Sequence, residues 1–332
     1  MSRPILEVER LERVFAGRWT LSDRLSGRPA PVLRAVDGVS LSVGRGEVLG
    51  IVGESGCGKS TLARCLIGID RPTAGVVRLD QKPLPARRSM ADRRRVQIVF
   101  QDPYSSLNPR MRIGAAIAEA VTVHARRPPA EVPARVAELL AMVGLEPGIV
   151  NAMPGQLSGG QRQRVSIARA LAPEPEILVA DEPVSALDVS VQATVLNLLS
   201  DLRERLGLTV ILISHSLGVV QYLCDRIAVM YLGRIVETAP ADALFAGPRH
   251  PYTQALLAAA PRIGAGPMAD TEEAPGEPPS PYAVPHGCRY HTRCPLAADL
   301  CRQADPDLGP PAPHRTACHF ATAPDQNRRI TP

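Results

Sequence analysis

No stretch of this chain holds the roughly 18 consecutive apolar residues that a membrane-crossing helix needs, so nothing in it is expected to span a bilayer. A secretory leader is also missing: Glu7, Glu9 and Glu12 interrupt the apolar residues near the start, and this predicts a protein that stays in the cytoplasm. In that compartment the seven cysteines are not a disulfide framework. An excess of one charge is lacking, since 38 Lys and Arg against 33 Asp and Glu leave +5. That balance argues for neither a nucleic acid nor a membrane surface as partner. The densest basic run, Arg87, Arg88, Arg93, Arg94 and Arg95, reads as a solvated face. Aromatics are scarce at 3%, and no heptad pattern is sustained, which excludes a long coiled coil.

What is present is ordinary soluble material, 45% hydrophobic and 21% charged over 332 residues. The length suits two domains or one large domain with an appendage. Residues 5–50 alternate apolar and polar in short runs and predict strands, with turns at Asp37-Gly38 and Gly44-Arg45-Gly46 and an inserted loop at 17–31. Val76–Leu79 and Val96–Phe100 read as further strands. From Ile113 to Val143 the spacing turns helical, broken at Pro128-Pro129. Ile177–Ala180 and Thr209–Ile213 are continuous apolar runs, as strands buried on both faces are, with an amphipathic helix at 191–206 between them. A hairpin is expected at Leu232-Gly233. Residues 261–285, rich in Pro, Gly and Glu, read as a linker, and residues 286–320 hold four cysteines before a tail at 321–332.

The chemistry begins at Gly53-Glu54-Ser55-Gly56-Cys57-Gly58-Lys59-Ser60-Thr61, which reads G-x-x-x-x-G-K-S. Glycines let a backbone turn tightly and aim N–H groups at phosphate oxygens. The lysine brings fixed charge to the outer phosphates, and the serine hydroxyl can ligate magnesium. A buried strand, 47–52, precedes the loop and a helix follows, so the loop opens onto an anion-favouring helix N-terminus. The run 177–180 ends in Asp181-Glu182. A carboxylate at the end of a strand beside a phosphate loop suits Mg²⁺, the role given to Asp181. Glu182 is the candidate general base toward an attacking water. Leu157-Ser158-Gly159-Gly160-Gln161 opens a helix running to about Leu171, a second potential anion site.

In this order the loop at 53–61, Gln101, the Leu-Ser-Gly-Gly-Gln run, Asp181-Glu182, Ser185-Ala186-Leu187-Asp188 and His215 resemble the motif set of ABC-type ATPases. The resemblance implies an α/β fold, a P-loop nucleotide-binding domain with a RecA-like core, an antiparallel β subdomain and a helical subdomain at about 103–170, all within 1–260. It implies head-to-tail dimers in which Ser158, Gly159, Gly160 and Gln161 bind the γ-phosphate held by the partner's loop. Gln101 would touch Mg²⁺ and the attacking water, His215 the γ-phosphate, and Asp188 the opposing domain. Phe15 would stack on adenine. Mg²⁺ would be held by Ser60, Gln101 and Asp181. Longer strings, Phe100 to Arg110, Asp181 to Ser190 and Arg249 to Leu257, resemble the oligopeptide/dipeptide importer branch. There the ATPase serves two separate membrane permease subunits and, indirectly, a solute-binding protein, at the cytoplasmic face of the membrane, and its ATPase partner is usually a paralogue. Nickel chelates and glutathione are alternative cargoes, and a non-transport ABC ATPase is the rival class. One departure stands out. Ser216 follows His215 where the family usually has an acid. Serine caps helices well, so the loop is expected to keep its shape.

Cys288, Cys294, Cys301 and Cys318 are spaced C-x5-C-x6-C-x16-C, looser than the paired C-x2-C of common zinc modules. Four thiolates can hold Zn²⁺ or an iron–sulfur cluster. The resemblance implies a [4Fe–4S] cluster, with His286, His291, His314 and His319 as bystanders. A segment of about 35 residues cannot build much core, so a metal would fold it. Its distance along the chain from the other motifs suggests no part in hydrolysis.

Overall fold

The computed structural model describes residues 3–17, 31–125, 127–259 and 277–321. The inserted loop (but for its end residues Gly17 and Pro31), most of the Pro-rich linker and nearly all of the tail lie outside them. In chain order the strands are β1 (Leu6–Ala16), β2 (Val32–Val43), β3 (Val48–Val52), β4 (Ala74–Leu79), β5 (Lys82–Pro83), β6 (Val96–Val99), β7 (Ile177–Asp181), β8 (Thr209–Ser214), β9 (Arg226–Tyr231), β10 (Arg234–Pro240) and β11 (Arg315–Thr316). The helices are α1 (Lys59–Ile67), α2 (Met90–Arg95), α3 (Pro103–Ser106), α4 (Ile113–Ala120), α5 (Val132–Met142), α6 (Gly159–Leu171), α7 (Val189–Leu206), α8 (Leu217–Leu223), α9 (Ala241–Ala246), α10 (Pro251–Ala258) and α11 (Asp299–Gln303).

A seven-stranded sheet, ordered β11-β10-β9-β3-β8-β7-β6, carries the site. Its members from β9 to β6 pair in parallel. These are the continuous apolar runs, and the reason is visible in their packing. Successive side chains point to opposite faces. Val48, Leu178, Ala180, Val210 and Leu212 enter one core, shared with the helical subdomain. Leu49, Ile51, Ile177, Val179, Ile211 and Ile213 enter a second, closed by α1 and by an antiparallel sheet ordered β2-β1-β4-β5. With both faces covered, no position in these strands can be polar without cost until the strand ends.

The helical subdomain runs from α3 to α6. The sequence periodicity between 113 and 143 resolves into α4, a π-helical turn at Val121–Ala125, and α5. Proline at 128 and 129 prevents continuation of the first helix, and Pro129 instead opens a 3₁₀ turn, Pro129–Glu131. The hairpin at Leu232-Gly233 forms as the turn residues dictate, joining β9 to β10.

The cysteine-bearing segment is not the separate module that its sequence suggests. Thr316 and Arg315 of β11 pair with Glu237 and Thr238 of β10. Tyr290 is 1% exposed and packs edge-on to Tyr231, with Tyr252 tilted against both at ring-centroid distances of 4.6 and 5.4 Å. Arg289, also buried, donates to the Leu232 carbonyl and the Asp37 carboxylate. The segment thus takes its core from the large domain.

Candidate functional site

Four crossovers leave the carboxyl ends of adjacent parallel strands, and each delivers one functional group to the same place. The phosphate loop follows β3, Gln101 follows β6, Glu182 follows β7 and His215 follows β8. Open α/β sheets form their ligand crevices at this end. An open cleft of about 700 Å³ lies there, lined by Ser55, Gly56, Gly58, Lys59, Ser60 and Thr61 on one side and by Gln101, Glu182 and His215 on the other.

The loop's course demands glycine at its two ends. A Cβ on Gly53 would stand 2.1 Å from the Met230 carbonyl oxygen, and one on Gly58 1.9 Å from that of Ala35. Gly58, at φ +107°, is also the N-cap of α1 and offers no side-chain cap, so the first N–H groups of that helix are left for an anion. The Lys59 ammonium curls back onto the loop, donating to the carbonyls of Gly53 at 2.7 Å and Glu54 at 2.8 Å. Cys57 contributes its backbone, accepting from the Gly233 amide at 2.8 Å. Its thiol is buried in the core, with its pKa pushed up by that burial.

Ser60 Oγ donates to Asp181 Oδ1 at 3.1 Å. Burial raises the Asp181 carboxyl above the usual carboxylate range, against the Ser60 hydrogen bond. A divalent cation at this hydroxyl and carboxylate would relieve that burial, so the pair fits Mg²⁺. Glu182 holds a left-handed backbone at φ +47°, unusual for a non-glycine residue and costly enough to mark a constrained site. Its Oε2 accepts from Gln101 Nε2 at 2.9 Å and faces His215 Nδ1 at 3.1 Å. Two of the predicted residues therefore converge on a carboxylate oxygen of a third.

Ser158, Gly159, Gly160 and Gln161 do not line this cleft within the chain. Ser158 is the N-cap of α6, in a reciprocal capping box with Gln161 at 3.3 and 3.0 Å. Asp188 is exposed at the N-cap of α7, without a side-chain cap bond. Ser216 stands at the N-cap of α8, as expected, yet its side chain makes no cap bond. The turn is tied instead by its amide donating to Ser214 Oγ at 2.9 Å. Phe15 pairs across the sheet with Leu33, which lines the cleft, while the Arg13 guanidinium lies 4.2 Å from the Phe15 ring centre. Among the described residues an aromatic side chain on the cleft wall is supplied by Tyr282, with Pro281 beside it. Both come from the stretch read as linker, where a lone Pro-Tyr gives no signal of function.

The four late cysteines are free thiols. Cys288 is pushed up to about 11 by burial, and the charges of Cys301, Cys318 and Cys294 act in the same direction. The Phe320 amide donates to the sulfur of Cys318 at 3.5 Å. Among the described residues no group of three or more His, Cys, Asp or Glu side chains gathers closely enough to hold a metal ion. The thiols thus share one module without forming the tight cage a lone Zn²⁺ requires. The expectation that this segment stands apart from the ATP site is corrected by Arg293, whose guanidinium meets the Glu54 carboxylate of the phosphate loop at 3.0 Å through both nitrogens.

Comparison with known proteins agrees with this geometry. Residues 36–185 match the ABC transporter family, and residues 236–301 match the oligopeptide/dipeptide transporter C-terminal region. A probable peptide ABC transporter ATP-binding protein of Sinorhizobium fredii is 49% identical over all of this chain and 94% of its own length. A putative peptide import ATP-binding protein of Brucella ovis is 48% identical over 86% of this chain and 92% of its own. Among solved structures, cbiO1 of Clostridium perfringens, part of an ABC transporter complex, is 32% identical with a TM-score of 0.61, over 73% of this chain and 91% of that one. A dimeric ATP-binding cassette in a post-hydrolysis state with ADP and Pi is 29% identical with a TM-score of 0.60, over 71% and 98%.

Proposed function

The chain belongs to the ABC transporter family as an ATP-hydrolysing subunit, and on that premise we propose that it powers import of peptides of the oligopeptide or dipeptide class. The observation that carries the enzymatic reading is the convergence of Gln101 and His215 on Glu182, beside the Ser60–Asp181 pair, at one cleft. The cargo class rests on the match of residues 236–301 and on the peptide transporters to which the chain is similar.

In this reading Gly53 to Thr61 bind the triphosphate through loop amides and the α1 N-terminus. Lys59 leaves the loop carbonyls to meet the outer phosphates. Ser60, Asp181 and Gln101 would hold Mg²⁺, which when bound neutralises phosphate charge. Glu182 takes the proton of the water that attacks the terminal phosphorus, and the bond to the ADP oxygen breaks. Gln101 and His215 hold that carboxylate in place, and His215 also serves the γ-phosphate. Phe15 provides a face for adenine.

Ser158 to Gln161 act on the ATP of a second ATPase subunit, a paralogue in this reading, and Asp188 lies against that subunit. Their position outside the cleft of their own chain supports action across a dimer. Among the described residues no helix is long and apolar enough to cross a membrane. In this reading the chain works as a peripheral subunit on two permease subunits at the cytoplasmic face, fed by a solute-binding protein. The residues after Gln101 carry the motion, with Tyr104 62% exposed at the surface. Leu107, three residues on, is 2% exposed and belongs to the core.

Cys288, Cys294, Cys301 and Cys318 would be the ligands of a [4Fe–4S] cluster, which when bound would tie this segment together. Four free thiols in one segment, with the Phe320 amide donating to the Cys318 sulfur at 3.5 Å, support this reading.

Deletion of the gene tests the cargo. Loss of uptake of a labelled di- or tripeptide, with nickel and glutathione uptake unchanged, is expected. Intact peptide uptake with loss of either other cargo refutes the peptide assignment.

A further inference from the structure

Glu54 occupies an odd place for a carboxylate, between Gly53 and Ser55 in a loop that receives a polyanion. Every polar group of this residue is engaged. Its amide donates to the Tyr252 hydroxyl at 2.8 Å, and its carbonyl accepts from Lys59 Nζ at 2.8 Å. Its carboxylate takes both terminal nitrogens of Arg293, each at 3.0 Å. Two of these three partners lie beyond residue 250, and both are nearly inaccessible to solvent: Tyr252 is 1% exposed and Arg293 7%.

The guanidinium is itself fixed. It lies 5.8 Å from the ring centre of Tyr290 and 6.0 Å from that of Tyr231. Arg293 immediately precedes Cys294, and Tyr290 follows Cys288 by two residues. The turn between these two cysteines therefore sets Arg293 against the loop and Tyr290 against Tyr231 and Tyr252. A planar fork held against aromatic faces suits a two-point grip on a carboxylate.

We propose that Arg293 is a positioning residue of the phosphate loop. It holds Glu54 in place and cancels its charge, so that the loop meets the triphosphate without a bare carboxylate beside it. The proposal rests on the nucleotide-site reading above and adds the C-terminal segment to that site. It follows that removing Arg293 harms nucleotide binding chiefly because Glu54 is left charged, and that neutralising Glu54 repairs the damage.

The test is a cycle on the full-length subunit, titrated with Mg²⁺ and AMP-PNP in a calorimeter, with melting temperature read in parallel. Arg293→Ala is expected to weaken binding by about tenfold or more, as loss of one partner from a buried charge pair does. In a Glu54→Gln background the same removal is expected to cost less than about threefold. Arg293→Lys, which keeps the charge, is expected to lose less than alanine and takes its place in the cycle if alanine fails to fold. An Arg293→Ala protein that binds like the wild type overturns the proposal. So does an equal loss in both backgrounds, which would make Arg293 a structural prop, or a folded lysine variant as weak as alanine. Failure of the wild type itself to bind would instead strike the nucleotide-site reading.

Discussion

Alanine at Gly58 and at Gly56 separates backbone strain from steric exclusion within one loop. Both glycines have positive φ, +107° and +76°. An alanine Cβ at 56 has nothing within 4 Å, so Gly56→Ala bears only the left-handed penalty, about 1–2 kcal/mol. At 58 the Cβ stands 1.9 Å from the Ala35 carbonyl oxygen and 3.1 Å from its carbon. Those atoms belong to β2 and cannot move without disturbing its pairing with β1. Gly58→Ala therefore adds a backbone clash to the strain and is expected to exceed about 4 kcal/mol, the range of the most damaging single substitutions. With about 2–4 °C lost per kcal/mol in a domain of this size, thermal melting without nucleotide should fall by roughly 2–8 °C for Gly56→Ala and by more than about 8 °C for Gly58→Ala. Equal melting temperatures for the two variants would refute the close approach of loop and strand.

Three further outcomes follow from other parts of the molecule. Arg95 hydrogen-bonds to both Asp80 and Glu176 and holds each carboxyl below its usual range. Folded values below the unfolded ones of about 4 mean that this support is present above that pH and lost as pH falls through the folded values. Arg95→Ala should thus cost about 1 kcal/mol at pH 7, discounted for its partly exposed partners, and the gap to wild type should close as acid protonates both carboxyls in the folded state; a gap that persists there would contradict it. Tyr104→Ala should spare MgATP binding by the isolated subunit and lower stimulation of hydrolysis by the assembled permease, and unchanged transport and assembly would make that residue ordinary surface. Anaerobically purified protein should contain iron and sulfide, and Cys294→Ser should bleach it; stoichiometric zinc in colourless protein would overturn the cluster.

Much of the ATP site was legible because its groups are consecutive in sequence and bounded by unmistakable strands. Gly53 to Thr61 and Asp181-Glu182 each follow an apolar run, and a run buried on both faces must end where the polar chemistry begins. Helix α6 starts at the Ser158 cap and ends at Leu171, as its sequence predicts. What escaped the sequence is made by contacts between distant residues. Glu54 and Arg293 lie 239 positions apart, and neither stands in a pattern that calls for the other. Tyr290 looks like any residue of a small cysteine-rich module until the core around Tyr231 and Tyr252 is seen. The role of the 277–285 stretch was hidden because its composition is that of a linker, whereas Pro281 and Tyr282 wall the cleft. The burial of Leu107 was equally hidden, because a single leucine in an irregular string gives no burial signal.

Glu182→Gln tests the central claim most directly. The substitution keeps the shape that Gln101 and His215 grip at Oε2 and removes the capacity to accept a proton from water. Measured side by side, binding of MgATP and its steady-state hydrolysis by the full-length subunit should part. Affinity should stay within about threefold of wild type while turnover falls by about 10²–10⁴-fold, the usual contribution of a general base. Turnover within about threefold of the wild-type rate would show that Glu182 is not the base and that the convergence of Gln101 and His215 on it serves some other end.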